Sequence, residues 1–510
     1  MRRYGLNALI LLCVMLGGYA HAFEVGLSGR GTVIEGLAAG SSSDESPTIV
    51  LVGGLAGEEA SVIRDAVNAW PRLRGAGSVR LLAIPLANPD GAPLEFPPSG
   101  TAYRDHPESF ALWRWIGIHA PDLVLIAGPD EAGLAKALQT GSAAAMGPIP
   151  ARAFDPRELA RLRKQAPVAS SAHRELERRL DRSALELAEE LATSYGHDFS
   201  QPIYTQALAL IGQLRLGHLE EVRSLVEPYV NGTRNSLARP NSLVLAGHLV
   251  FAELARRTAD ARYLARVRAA ADLGFEADGH MKEAMPYHGE FSDSLFMGTA
   301  ILTEAGALTG QTRYFDMAAR HVEFMRRLVL RPDGLYRHQP ATDAAWARGN
   351  AFPALGLAWA LADFPPDHPA RAVLLEDFRE HMRTLLAYQN EDGLWRNVID
   401  HPGAYPEFSA TAMIGYAMQR GVEKGWLPRE PYQRSVAKAW HAILGRVGPN
   451  GALFDVCEST ARMPSLDAYL KRAALDGVDE RGGAMALLFA TEMAGLGNST
   501  EGRAPRRLGY

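Results

Sequence analysis

Thr258-Ala259-Asp260-Ala261-Arg262-Tyr263-Leu264 returns 51 residues later as Thr309-Gly310-Gln311-Thr312-Arg313-Tyr314-Phe315. The turn signals Asp278-Gly279, Asp333-Gly334, Asp392-Gly393 and Asn450-Gly451 follow one another at intervals of 55, 59 and 58 residues. Between them, apolar residues recur at helical spacing over Tyr204 to Leu216, Leu243 to Leu254, Leu295 to Leu308, Phe352 to Leu361, Thr411 to Met418 and Ala484 to Ala494. Repeats of this length are stacked helical hairpins. Roughly 300 residues divided by such a period give about five or six hairpins, a number that fits a closed double ring of helices. The expected fold is therefore mainly α, an (α/α)6 toroid over residues 201–497. An open superhelix is the alternative, because closure is not written in a repeat.

Outward from the repeats the grammar changes. Thr48-Ile49-Val50-Leu51-Val52 is a β-branched run ending in Gly53-Gly54, the signature of a strand buried on both faces. Val79 to Pro85 and Asp122 to Ala127 repeat it, so residues 23–150 read as a smaller α/β domain. Residues 151–200, rich in Arg, Glu, Ala and Leu, read as a solvated helical connector. Residues 498–510 read as a flexible tail.

The first 22 residues carry the marks of a secretory signal: Arg2 and Arg3, an apolar run from Leu9 to Leu16, and Ala20-His21-Ala22 as a small-x-small cleavage site. An exported protein, periplasmic or secreted, is expected, with no membrane span once the signal is removed. Cys13 lies inside the signal, which leaves Cys457 alone and excludes an intrachain disulfide. A hydrophobic content of 47% supports sizeable cores, and the net charge of −5 with no basic stripe excludes nucleic acid as a partner.

Two segments bring chemistry to helix starts. Asp293 opens the apolar run Leu295-Phe296-Met297, where Asp is a favoured N-cap. Facing the central cavity of a toroid, the same carboxyl would be desolvated and able to donate a proton. Trp346-Ala347-Arg348-Gly349-Asn350 precedes a helix with Pro353 in its first turn. The guanidinium and the positive helix end suit an anion, and Trp346 suits stacking on a sugar ring; a core Trp and a surface Arg are the plain alternative. His338 and Trp395 follow two of the Asp-Gly turns, as loop residues or as lids and platforms on the inner barrel. Cys457 reads as a packed thiol.

Taken in order, Asp293-Ser294-Leu295-Phe296-Met297, Asp333-Gly334-Leu335-Tyr336, Trp346-Ala347-Arg348-Gly349-Asn350, Tyr388-Gln389-x-Glu391-Asp392-Gly393-Leu394-Trp395, Glu407-x-Ser409-Ala410-Thr411-Ala412-Met413 and Val456-Cys457-Glu458-x-Thr460 resemble the unsaturated uronyl hydrolases of glycoside hydrolase families 88 and 105. The resemblance spans roughly residues 200–497. It implies an (α/α)6 barrel acting on oligosaccharides that end in a 4,5-unsaturated uronic acid, by hydration of the enol ether, with no metal or organic cofactor. It implies Asp293 as the general acid/base, and His338, Trp346 and Arg348 as substrate-binding residues; Trp395 is expected to join them as a ring-stacking platform after its Asp-Gly turn. The pattern's second aspartate is absent: Pro240-Asn241-Ser242 stands there, leaving Asn241 to orient water or bind a hydroxyl. Ala351-Phe352 also replaces the usual Gly-Trp.

The α/β segment resembles a degenerate zinc carboxypeptidase through Gly53-Gly54-Leu55-Ala56-Gly57-Glu58-Glu59 and Ala87-Asn88-Pro89-Asp90-Gly91. Ala56 stands where that family has a zinc-binding His, and Glu59 alone cannot supply the three ligands of a catalytic zinc. Other readings stay open: a glycosidase on intact uronides, with Glu290 or Asp343 as the second carboxylate, or a carbohydrate-binding pseudoenzyme without turnover.

Overall fold

Thr48–Val52, buried at every residue, is the central strand β3 of a six-stranded sheet. The computed structural model describes residues 21–41, 46–73 and 79–498, and the chain divides into one unit up to Arg178 and another from Arg179. In the first unit β3 lies between parallel β4 (Arg80–Ile84) and β5 (Leu123–Ile126), and β6 (Ala151–Ala153) continues the parallel side. On the other side β2 (Val33–Gly40) pairs antiparallel with β4, and β1 (His21–Leu27) antiparallel with β2. The order is β1-β2-β4-β3-β5-β6. Helix Ser61–Ala69 buries Ile63, Ala66 and Val67 against Ile49, Leu51 and Leu81 of one face.

The sheet does not stop at residue 150. Beyond β6, the buried Asp122 carboxylate accepts from Thr48 N and Ser170 N at 2.8 Å each, and from His173 Nδ1 at 2.9 Å. This pairing raises the His173 pKa. The stretch expected to be a solvated connector is thus split: residues 151–178 complete the sheet unit, and helix Ala184–Ala192 belongs to the second. Glu59 is bonded to Arg64, and among the described residues no cluster of three His, Cys, Asp or Glu is placed to hold a metal ion. The expected signal peptide lies outside the described residues up to residue 20, as do residues 499–510 of the expected tail; His21 and Ala22 pair with Ala38 and Leu37.

In the second unit the inner helices form a ring. Tyr204–Arg215 packs on Ser242–Gly247 and Leu249–Thr258, and these pack on Ser294–Met297 and Thr299–Thr309. The ring continues through Ala347–Asp363, Phe408–Glu423 and Glu480–Met493, and the last returns to Tyr204–Arg215. The outer helices Ala184–Ala192, Leu219–Val230, Ala261–Ala271, Thr312–Val329, Arg371–Tyr388 and Arg429–Arg446 each cover an inner one. Closure makes this an (α/α)6 toroid rather than an open superhelix. The two kinds of helix differ as their positions require. Ala347–Asp363 is buried at every residue from Ala347 to Leu361. Thr312–Val329 buries only a stripe, including Tyr314, Ala318, Val322, Met325 and Val329. Among the described residues no helix is long and apolar enough to cross a membrane.

Inner helices must approach closely, and Gly356 marks where two of them do. A Cβ there would strike the Leu295 carbonyl and lie 2.8 Å from Phe296 Cα, both backbone. This contact sets the Asp293 helix against the Arg348 helix. A Gly356→Ala change gains up to about 1 kcal/mol of helix propensity, but forcing two backbones apart costs about 1–3 kcal/mol or more. A net loss of stability is expected, read as a lower denaturant midpoint at unchanged slope; a raised midpoint would contradict the close approach.

Candidate active site

Asp293 occupies the position before helix Ser294–Met297, yet it does not cap it. Its backbone is already helical and its carboxylate makes no capping hydrogen bond. The side chain turns inward, and Oδ1 is buried without a hydrogen-bond partner among the described residues. Desolvation pushes the Asp293 pKa up to about 7, against the opposing pull of Arg348 and Arg472. A carboxyl that holds its proton near neutrality is suited to donate it.

His338 Nε2 lies 3.6 Å from Asp293 Oδ1 and is likewise buried without a partner. The imidazole is packed between Phe291, stacked at 4.8 Å, and Trp346 at 4.4 Å. Burial first, then Arg472, Arg348 and Arg462, hold its pKa well below 6.5, so the ring is neutral. The loop carrying it is fixed by Asn350, whose Oδ1 accepts from Tyr336 N at 2.7 Å and whose Nδ2 donates to Tyr336 O at 2.8 Å. The Trp346–Asn350 segment therefore builds the His338 loop as well as its own helix start.

Trp346 is completely buried. The guanidinium carbons of Arg348 and Arg472 lie 4.7 and 4.8 Å from its ring centroid, and its Nε1 points at Cys457 Sγ at 3.4 Å. Contrary to the sugar-stacking expectation, the ring is buried against two cations, and both guanidinium groups also donate to Ser459 O. Arg348, 1% exposed, donates from Nη1 to Ser409 Oγ at 3.1 Å and Cys457 O at 2.6 Å, and from Nη2 to Ser459 O. Glu407 Oε1 stands 3.8 Å away. Most of the guanidinium is thus committed within the barrel, and Nε remains without a partner.

Two residues expected at the site are engaged elsewhere. Trp395 is fully buried core, donating Nε1 to Leu385 O at 2.8 Å, one of the carbonyls left over at the end of helix Arg371–Tyr388. Asn241 is exposed and caps helix Ser242–Gly247 by accepting from Val244 N at 3.1 Å. Glu290 and Asp343, the candidates for a second carboxylate, are both exposed, Asp343 beside Arg337 at 3.2 Å.

Other residues complete the site without having been anticipated. Glu407 is completely buried; it accepts from Ser409 N and Oγ, Ala410 N and Cys457 N, so both its oxygens are occupied. Arg472, 1% exposed, donates to the carbonyls of Ser459 and Ala461 and forms no ion pair among the described residues. Tyr469 hydrogen-bonds His338 Nδ1 at 2.7 Å. Asp293 Oδ1 and His338 Nε2 face each other unmet across 3.6 Å, and Oγ of the adjacent Ser292 and Nε of Arg348 are unmet as well. Folded proteins satisfy nearly all such atoms, so a cluster of them marks a place for a polar ligand.

Known proteins share this architecture. A GH105 candidate from Salmonella enterica serovar Paratyphi A superposes with TM-score 0.53 at 21% identity, covering 62% of this chain and 94% of its own. A family 88 glycosyl hydrolase from Bacteroides vulgatus does so with TM-score 0.51 at 17% identity, covering 62% and 100%. In sequence, the unsaturated rhamnogalacturonyl hydrolase YesR of Bacillus subtilis is 28% identical over 211 residues, 40% of this chain and 59% of that protein. The unsaturated 3S-rhamnoglycuronyl hydrolase of Formosa agariphila is 29% identical over 180 residues, 31% and 48%. The chain thus spans about half the length of the curated relatives it matches. The family model described as Glycosyl Hydrolase Family 88 matches residues 219–496, taking in Asp293, His338, Arg348, Glu407 and Arg472, and the chain belongs to that family.

Proposed function

We propose that this chain removes a 4,5-unsaturated uronic acid from the non-reducing end of oligosaccharides by hydrating its enol ether. One observation carries the reading: a desolvated carboxyl, Asp293, unbonded at Oδ1 and set among a neutral imidazole and two buried guanidinium groups. Enol-ether hydration needs one proton donor near neutrality, whereas displacement at an intact uronide needs two carboxylates flanking the bond. Glu407 is saturated by donors, and Glu290 and Asp343 face solvent. In the proposed reaction Asp293 gives its proton to C4 and the positive charge develops at C5. Water adds at C5 and returns a proton to the carboxylate; the resulting hemiketal opens and releases the sugar. Arg348 Nε and the paired positive charge of Arg348 and Arg472 would hold the uronate carboxylate. The names of the Bacillus and Formosa relatives, both unsaturated-uronide hydrolases, support the same substrate class.

We also propose that residues 1–22 direct export to the periplasm or beyond, on the strength of Arg2, Arg3, the apolar run and Ala20-His21-Ala22. An intact mass starting at Phe23 in the exported fraction is expected; a mature protein retaining Met1 would refute it.

On lyase-generated oligosaccharides, Asp293→Asn is expected to slow loss of the enol-ether absorbance by about 100-fold or more. Comparable turnover in the variant would remove Asp293 as the acid. Because the free carboxyl titrates at about 7, wild-type kcat/KM should fall above that pH with a one-proton slope. Stability follows the same group. Its folded pKa is raised, so its contribution is complete below the ordinary carboxylate range and is lost as pH rises toward about 7. The Asn variant should lack that decline in thermal midpoint. Arg348→Lys keeps the charge but loses the planar fork, and KM should rise about 10- to 100-fold; an unchanged KM would exclude Arg348 from substrate binding.

A further inference from the structure

Tyr469 reaches the site from the short helix Leu466–Leu470, far in sequence from Asp293, His338 and Arg348. Its phenol oxygen lies 2.7 Å from His338 Nδ1, and its ring meets the imidazole edge-on at 5.7 Å and 82°. Tyr469 is itself held. Its carbonyl accepts from Asn397 Nδ2 at 2.8 Å, and Arg472 lies over its ring at 5.3 Å. The Met463 backbone and the Thr342 side chain also face the phenol. A phenol O–H is a stronger acid than a neutral imidazole N–H, and an imidazole nitrogen accepts better than a phenol oxygen, so across the 2.7 Å contact the phenol donates to His338 Nδ1. An imidazole that accepts at Nδ1 carries its proton on Nε2. Nε2 is the atom facing Asp293 Oδ1 across 3.6 Å, and both are buried without another partner.

We propose that Tyr469 is a positioning residue that fixes His338 as the Nε2–H tautomer and so aims a hydrogen-bond donor at the carboxyl of Asp293. The inference rests on the proposed hydration chemistry for its kinetic consequence, though not for the tautomer. Once Asp293 has given up its proton, Nε2–H closes on the carboxylate and stabilises it until water returns a proton. The other charged and titratable groups facing this pair are Arg348 and Arg472, with Arg462 beyond the imidazole and the buried Tyr204 hydroxyl on the first inner helix. None of these bonds Nδ1, so Tyr469 is the group that sets the tautomer, while Phe291 and Trp346 hold the plane of the ring.

Two measurements on the full chain test this. Nitrogen NMR of histidine-labelled wild type, with the His338 signal assigned by its absence in His338→Gln, should show a protonated Nε2 and a bare Nδ1. The opposite tautomer overturns the proposal, whether or not any variant folds. Tyr469→Phe removes only the hydroxyl. Its kcat should fall about tenfold with KM little changed, and the alkaline limb of the kcat profile should move up by about one pH unit as the carboxylate loses its donor. The Asp293 carboxyl, followed by infrared difference against Asp293→Asn, should show the same upward shift. A uniform loss at all pH values with an unmoved carboxyl titration reduces Tyr469 to packing and overturns the proposal. Because the NMR and infrared readouts need no turnover, they decide it even if unsaturated uronides prove not to be substrates.

Discussion

Arg348 is buried where three parts of the barrel meet, and the rest of the site is arranged around that charge. Taking a guanidinium out of water costs several kcal/mol unless hydrogen bonds and a counter-charge offset it. Here the offset comes from Ser409 and Glu407 on the next inner helix and from the carbonyls of Cys457 and Ser459 on the strand and loop beyond. Glu407 in turn caps its own helix through Ser409 N and Ala410 N and receives Cys457 N. One cation therefore ties two inner helices and the segment after Cys457 into a single network. Removing any one partner would strand a buried charge.

The same burial shifts Asp293. Water excluded from Arg348 is also excluded from Asp293, and desolvation outweighs the pull of two nearby guanidinium groups on its pKa. Trp346 contributes by attracting both cations: the guanidinium carbons of Arg348 and Arg472 lie 4.7 and 4.8 Å from its ring centroid, and the two groups share the Ser459 carbonyl. The aromatic box of Phe291, Trp346 and Tyr469 keeps His338 neutral and oriented. Packing and electrostatics here are one device.

Much of this was legible in the chain. A repeat of 50 to 60 residues and inner helices apolar on all sides announce a toroid. Asp293, His338 and Arg348, which the structure brings together, each stand at a fixed offset from a turn or a helix start. What stayed hidden was orientation. Trp395 has the same offset from its Asp-Gly turn as Tyr336, yet its Nε1 serves a helix-end carbonyl instead of the cavity. Tyr469 and Arg472 have no periodic signal, since a helix of five residues and an irregular loop carry them. Glu407 stands in a motif leading into an inner helix, and only the fold shows that it lies 3.8 Å from Arg348. The continuation of the sheet unit past residue 150 was masked by a charged composition, because what holds it is a buried Asp122–His173 pair and the scattered Leu159 and Leu162 in place of an apolar run.

Asn241 shows why a changed residue at a helix start need not disturb either fold or acid. The position is an N-cap, and caps accept Asn and Asp almost equally well. Replacing an aspartate there leaves the helix intact while removing one negative charge from that end of the barrel. A second carboxylate would raise the Asp293 pKa by repulsion; in this chain desolvation alone brings it to about 7. The proton donor therefore does not depend on the missing partner. In the proposed hydration the Asp293 carboxylate, once it has delivered its proton, is itself an acceptor for the incoming water. A single carboxyl then acts first as acid and afterwards as base, whereas displacement asks for two flanking carboxylates.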